Sequence, residues 1–197
     1  MPAIDDLLTE VDHLWGGPTT TKIRLPIIGC SALMLQANYE RGTKDGDVLE
    51  TDHLTPETRD RLLALAGQGS DLHARHRFYV DLVSGGLPFL PRAPVWHDVP
   101  DLNARLTHFR IEVLDVIDVV VSKLKRFHVN DQADIDAMVE RDLVPHQRLI
   151  ARFKAAVEAY EMDARIEELP KYIENLHRVE RDMLGVSETD IDLPGWA

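Results

Sequence analysis

The sequence predicts an α+β fold: a mixed sheet flanked by helices, followed by a helical tail or bundle. Three observations carry the prediction. Short apolar runs at Lys22–Ile28, Phe78–Val83 and Arg110–Leu114 are β-branched or alternating, as strands are. Around them, apolar residues recur at helical spacing. From Asp131 onward only helical spacing remains, over 134–140, 145–160 and 170–184. We therefore divide the chain into an α/β core over 1–130 and a helical region over 131–197.

In chain order, Ile4, Leu7, Leu8, Val11, Leu14 and Trp15 fall at helical spacing before Gly16-Gly17-Pro18 stops them, giving an amphipathic helix that packs on the sheet. The first strand then leads into Gly29-Cys30-Ser31, a small-residue turn, and a helix through Ala37 with Ser31 as its N-cap. Thr55-Pro56 reads as N-cap and first position of a helix ending at Gly67. Glycines and prolines make Ser84–Pro100 loop-rich, with Phe89, Leu90 and Trp96 either packed on the core or lining a pocket. Val116, Ile117, Val120, Val121, Leu124 and Phe127 continue after the third strand at helical spacing, although valines are poor helix formers. Residues from Ser187 read as a frayed end.

Composition bounds the function. A chain of 197 residues can bury one substantial core. It has no apolar run of bilayer length and an acidic start, so neither a membrane span nor a signal peptide is expected. A single cysteine excludes an internal disulfide and fits a cytoplasmic location. The net charge of −12 argues against a broad nucleic-acid surface, since such binding works by displacing counterions with positive charge. Arg24, Arg41, Lys44, Lys123, Lys125 and Arg126 still leave a local basic patch, which is enough for a small anionic ligand.

The chemistry concentrates at Gly29-Cys30-Ser31 and, fourteen positions later, at Asp45-Gly46-Asp47. If Asp47 opens a strand, the two-residue spacing puts both carboxylates on one face of it, where they can share a divalent cation. Strand, glycine turn and helix N-terminus present backbone N–H groups and a positive dipole end to phosphates. Each part has a plainer reading. Asp-Gly suits a hairpin turn, Gly29-Cys30-Ser31 a structural turn, Asp81 the exposed end of an edge strand, and Lys123 a solvated helix face. Asp131 and Asp134 suit the cap and first turn of a helix. His73-x-x-His76 fits a helix face, but no third zinc ligand stands at a useful interval.

The order of strand, Gly-x-Ser, helix and Arg41-Gly-Thr-Lys44-Asp45-x-Asp47-Val-Leu resembles the minimal nucleotidyltransferases, in particular bacterial families allied to abortive-infection nucleotidyltransferase toxins. Lys123 and the later Asp131-Gln-Ala-Asp134-Ile resemble the same family's downstream segment, so the likeness covers about residues 22 to 140. It implies a nucleotidyltransferase-like mixed sheet in which Asp45, Asp47 and Asp81 bind Mg²⁺ or Mn²⁺. It further implies that Gly29 and Ser31 contact the phosphates of a nucleoside triphosphate such as ATP. Arg41, Lys44 and Asp131 join the nucleotide-binding set, and Lys123 the catalytic set, where it would stabilise the leaving pyrophosphate.

The expected reaction is metal-dependent transfer of a nucleoside monophosphate to a hydroxyl of a protein, RNA or small molecule, in a toxin–antitoxin or phage-defence setting. Asp81 would help deprotonate the acceptor. Cys30 stands where the family has a second glycine, Gly46 where it has an aliphatic residue, and Asn130 where it has an arginine. The first two leave a second reading, an inactive nucleotidyltransferase-like protein that binds a protein partner. A metal-dependent phosphohydrolase is a third.

Overall fold

The computed structural model describes residues 3–17, 21–37, 39–86, 88–160 and 164–192. Pro18, part of the stop expected after the first helix, and residues 193–197 of the expected frayed end lie outside them.

The chain divides into two compact units, Met1–Leu87 with Trp96–Asp115, and Pro88–Val95 with Val116–Ala197. The division thus falls at Asp115 and not at residue 130: the helix that follows the last strand packs with the later helices, where its all-round apolar valines are buried.

The first unit is built on a mixed five-stranded sheet of order β3-β2-β1-β5-β4, made of β1 (Ile23–Ile27), β2 (Asp45–Leu49), β3 (Tyr79–Val83), β4 (Trp96–Asp98) and β5 (Phe109–Leu114). β1 runs parallel to β5 and antiparallel to β2; β2 and β3 are parallel, and β4 is antiparallel to β5. Leu25, Ile27, Ile111 and Val113 are buried in the sheet centre. Over them lies α1 (Ala3–Trp15), whose Ile4, Leu7, Leu8 and Val11 are fully buried, each worth roughly 1.5–3 kcal/mol. Trp15 meets Phe109 edge to face at 4.8 Å.

Polar contacts fix this helix further. The carboxylate of Asp12 accepts hydrogen bonds from the backbone N–H groups of Thr107, His108 and Phe109, which pins α1 to the entry of β5. Behind β1, α2 (Gly29–Gln36) is tied at its far end by Gln36, whose amide donates to the Leu114 carbonyl at 2.6 Å. As expected, α3 (Pro56–Ala66) starts at a Thr55 cap, with the Thr58 N–H donating to its hydroxyl, and stops at Gly67. The short α4 (Asp71–His76) and strand β4 were not anticipated: each is too brief to show a period. A single turn at Pro100–Asn103, α5, precedes β5.

The second unit is helical: α6 (Val116–Leu124), α7 (Val129–Val139), α8 (His146–Ala159), a 3₁₀ turn at Ala164–Glu168, α9 (Leu169–Arg178) and a π-helical turn at Val179–Leu184. Phe89 belongs to this unit and packs among Phe153, Tyr160 and Tyr172 at 5.0–5.4 Å, so of its two readings the packing one holds. Phe127 lies beyond the end of α6 in a left-handed conformation, φ +50°, rather than continuing the helix. The segment after Ser187 is tied down as far as it is described: the Thr189 N–H and hydroxyl donate to buried Glu180, and Ile191 is buried. Polar capping of this kind leaves no periodic signal in a sequence.

Candidate functional site

Residue by residue, the sheet decides between the readings of Asp45-Gly46-Asp47. All three lie in β2, so the hairpin-turn alternative falls. Asp45 and Asp47 are half-buried on one face, and Gly46 is buried on the other. The parallel register pairs Asp45 with Tyr79 and Asp47 with Asp81, which puts Asp81 on the same face as the first two carboxylates. Asp81 meets its plainer description only in part: β3 is an edge strand and the side chain is exposed, but the residue is the third of the strand's five and not at its end.

Gly46 has a local cause. A Cβ there would stand 3.0 Å from the Phe78 ring and 3.1 Å from Ile4, because those two side chains already fill the core on that face. The aliphatic anchor of the family pattern is thus replaced by neighbours, and the strand keeps its place.

Gly29 serves the site directly. Its φ is +65°, and a Cβ would lie 2.5 Å from Oδ2 of Asp47, so only glycine lets the start of α2 approach that carboxylate. The Ile28 N–H donates to the Asp47 carbonyl at 2.9 Å. Ser31 differs from expectation. It sits inside α2, whose N-cap is Ile28, and is 1 % exposed, with its hydroxyl donating to the Asp45 carbonyl at 3.0 Å. Its side chain therefore clamps helix to strand and does not reach a ligand. The helix begins two residues before the expected cap because Gly29 makes the turn itself.

The remaining polar groups complete the surroundings. The Thr43 hydroxyl donates to Oδ1 of Asp45 at 2.6 Å. Arg41 is half-buried and Lys44 exposed in the segment leading into β2. The Lys44 carbonyl accepts from the Tyr79 N–H at 2.9 Å. Burial raises the Tyr79 phenol above its ordinary pKa, and the charges of Asp45, Asp81 and Asp47 raise it further, as befits a hydroxyl beside all three carboxylates. Tyr79 is the member that sequence reasoning missed; its two-residue spacing from Asp81 was the available signal.

Lys123 and Asp131 lie in the second unit and are buried. Lys123 pairs with Asp131 at 3.2 Å and with Asp134 at 2.7 Å, so it is no solvated helix face. Asp131, at the third position of α7, accepts from Arg126 twice at 2.8 Å and from the His128 N–H at 3.1 Å. Burial pushes its pKa up, but the Arg126 hydrogen bonds and the Lys123 and Arg126 charges outweigh burial and hold it at about 2. A carboxylate with no exposed surface and this many donors has the setting of a structural cap, the plainer of its two readings, and Lys123 is engaged in the same cluster. The histidine pair is likewise committed, with the Gly69 N–H donating to His73 and His76 paired with Glu10.

Among the described residues, no group of three or more His, Cys, Asp or Glu side chains is placed so that it could hold a metal ion by itself. None of the described helices is long and apolar enough to cross a membrane.

A family model described as a nucleotidyltransferase of unknown function, DUF6036, matches residues 4–179. The chain belongs to this family. The match runs through both units and includes the Gly29 turn, both strand aspartates and Asp81. No curated protein and no solved structure matches the chain. Asp45, Asp47 and Asp81 share one sheet face beside the glycine-started helix α2.

Proposed function

We propose that the protein transfers a nucleoside monophosphate from a nucleoside triphosphate to a hydroxyl acceptor, using Asp45, Asp47 and Asp81 with Mg²⁺. The observation that carries this reading is the register that sets Asp47 beside Asp81, with Asp45 two residues away on the same face. The donor set fits the metal: all three are hard oxygen ligands. Mg²⁺ is usually bound by one or two carboxylates together with substrate phosphates, not by a closed protein cage. When bound, the metal would neutralise the phosphates and favour in-line displacement of pyrophosphate.

The chain's own groups have separable tasks in this reading. Asp45 and Asp47 hold the metal, with Asp45 oriented by Thr43 and by the Ser31 clamp on its backbone. Gly29 keeps the start of α2 against Asp47, where the positive end of the helix favours negative charge. Asp81, the most exposed of the three, takes the proton from the acceptor hydroxyl. Arg41 and Lys44 flank the entry to β2 and offset the charge of the triphosphate. A toxin–antitoxin or phage-defence role in the cytoplasm is the setting we attach to this activity.

The products test it. With Mg²⁺ and a triphosphate labelled on the α-phosphate, release of pyrophosphate with label in an acceptor supports transfer, and Asp47→Asn should lower it by at least 100-fold. Orthophosphate release without an acceptor would make the protein a phosphohydrolase. Wild-type turnover by Asp47→Asn would overturn the assignment of the site. The filling of the Gly46 site by Phe78 and Ile4 removes one of the two features that favoured an inactive binding protein.

A further inference from the structure

The acidic patch has a fourth corner. Asp45 and Asp47 on β2, and Tyr79 and Asp81 on β3, occupy paired register positions two residues apart on each strand and share one face. Neighbouring strands lie about 5 Å apart and two residues span about 7 Å, so the four side chains rise from the corners of one small quadrilateral. Three corners are acceptors only when ionised. Tyr79 is the neutral one, and its phenol is a donor at ordinary pH.

Hydroxyls close to these carboxylates are otherwise spent. Thr43 donates to Oδ1 of Asp45 at 2.6 Å, and Ser31 to the Asp45 carbonyl at 3.0 Å. Among the described residues, nothing accepts a hydrogen bond from the Tyr79 hydroxyl. The ring is braced all the same: His73 packs against it edge on at 5.0 Å, and His73 is itself fixed by the Gly69 N–H at 2.9 Å and by its own N–H on the Ser70 hydroxyl at 3.1 Å. A braced ring carrying an uncommitted donor beside three carboxylates is suited to an anionic ligand that reaches the patch with a cation. Packing alone would be served equally by phenylalanine.

We propose that Tyr79 is a substrate-positioning residue, its phenol O–H donating a hydrogen bond to a phosphate oxygen of the triphosphate held through Asp45, Asp47 and Asp81. This rests on the proposed nucleotide site and adds to it a contact outside the carboxylates.

Calorimetry with Mg²⁺ and inorganic tripolyphosphate tests it, because that probe has phosphates and no base. Losing a hydrogen bond to a charged group is expected to weaken tripolyphosphate binding by about 10- to 100-fold in Tyr79→Phe, with the melting temperature and the affinity for Mg²⁺ alone unchanged. Tyr79→Leu, which also removes the ring, should lose no more than Tyr79→Phe. Wild-type affinity in Tyr79→Phe, or a loss confined to Tyr79→Leu, would overturn the proposal. Failure of the wild type to bind, or undiminished binding by Asp47→Asn, would instead overturn the nucleotide site on which it rests.

Discussion

Gly29 and Gly46 lack side chains for different reasons, and the difference separates function from packing. At Gly29 the missing Cβ makes room for the Asp47 carboxylate, and the backbone is left-handed. Gly29→Ala should therefore cost about 1–3 kcal/mol of stability and abolish metal-dependent nucleotide binding, measured by thermal unfolding and calorimetry. At Gly46 the conformation is ordinary and the obstacle is the Phe78 ring and Ile4. Gly46→Val should overpack that contact and cost about 1–3 kcal/mol, with turnover per folded molecule close to wild type. Equal turnover losses in the two variants would contradict this division of roles.

Of the structural elements, α7 shows how a motif match can be structural. Its Asp131 cluster belongs to the helix start, and removing one partner of a buried ion pair costs about 3–5 kcal/mol. Asp131→Asn should lose that much by denaturant unfolding at neutral pH. The pH dependence has a definite sign. Because the folded pKa is depressed from 3.8 to about 2, this carboxylate stabilises the fold fully above pH 4, and the contribution disappears as pH falls towards 2. The wild type should lose stability more steeply than Asp131→Asn across that window; parallel curves would contradict the role given to this residue.

Elements with a period or a cap signature were legible in the sequence. α1, α3 and strands β1, β3 and β5 follow from spacing, Thr55-Pro56 and β-branched runs. Strand β4, with three residues, and α4, with six, carry too little pattern to read. The aspartate pair was legible as chemistry, but its place in a strand depended on β3, a pairing partner more than thirty residues away. Ser31 shows the opposite limit: residue type and spacing are those of a phosphate contact, while the long-range bond to the Asp45 carbonyl turns the hydroxyl inward. No local signal separates the two.

Across the whole molecule, a net charge of −12 is combined with a site that is itself acidic on one sheet face. Such a face repels a polyphosphate unless cations accompany it, so binding is expected to be conditional on the metal. The family match places the chain among nucleotidyltransferases and leaves the metal as the point on which the account turns. The most direct measurement is calorimetric titration of each of the four nucleoside triphosphates, with and without Mg²⁺, into the wild type and the Asp45→Asn/Asp47→Asn variant. At least one triphosphate is expected to bind in a way that requires Mg²⁺ and vanishes in the variant. Binding that is indifferent to both metal and substitution, or absent altogether, would contradict it.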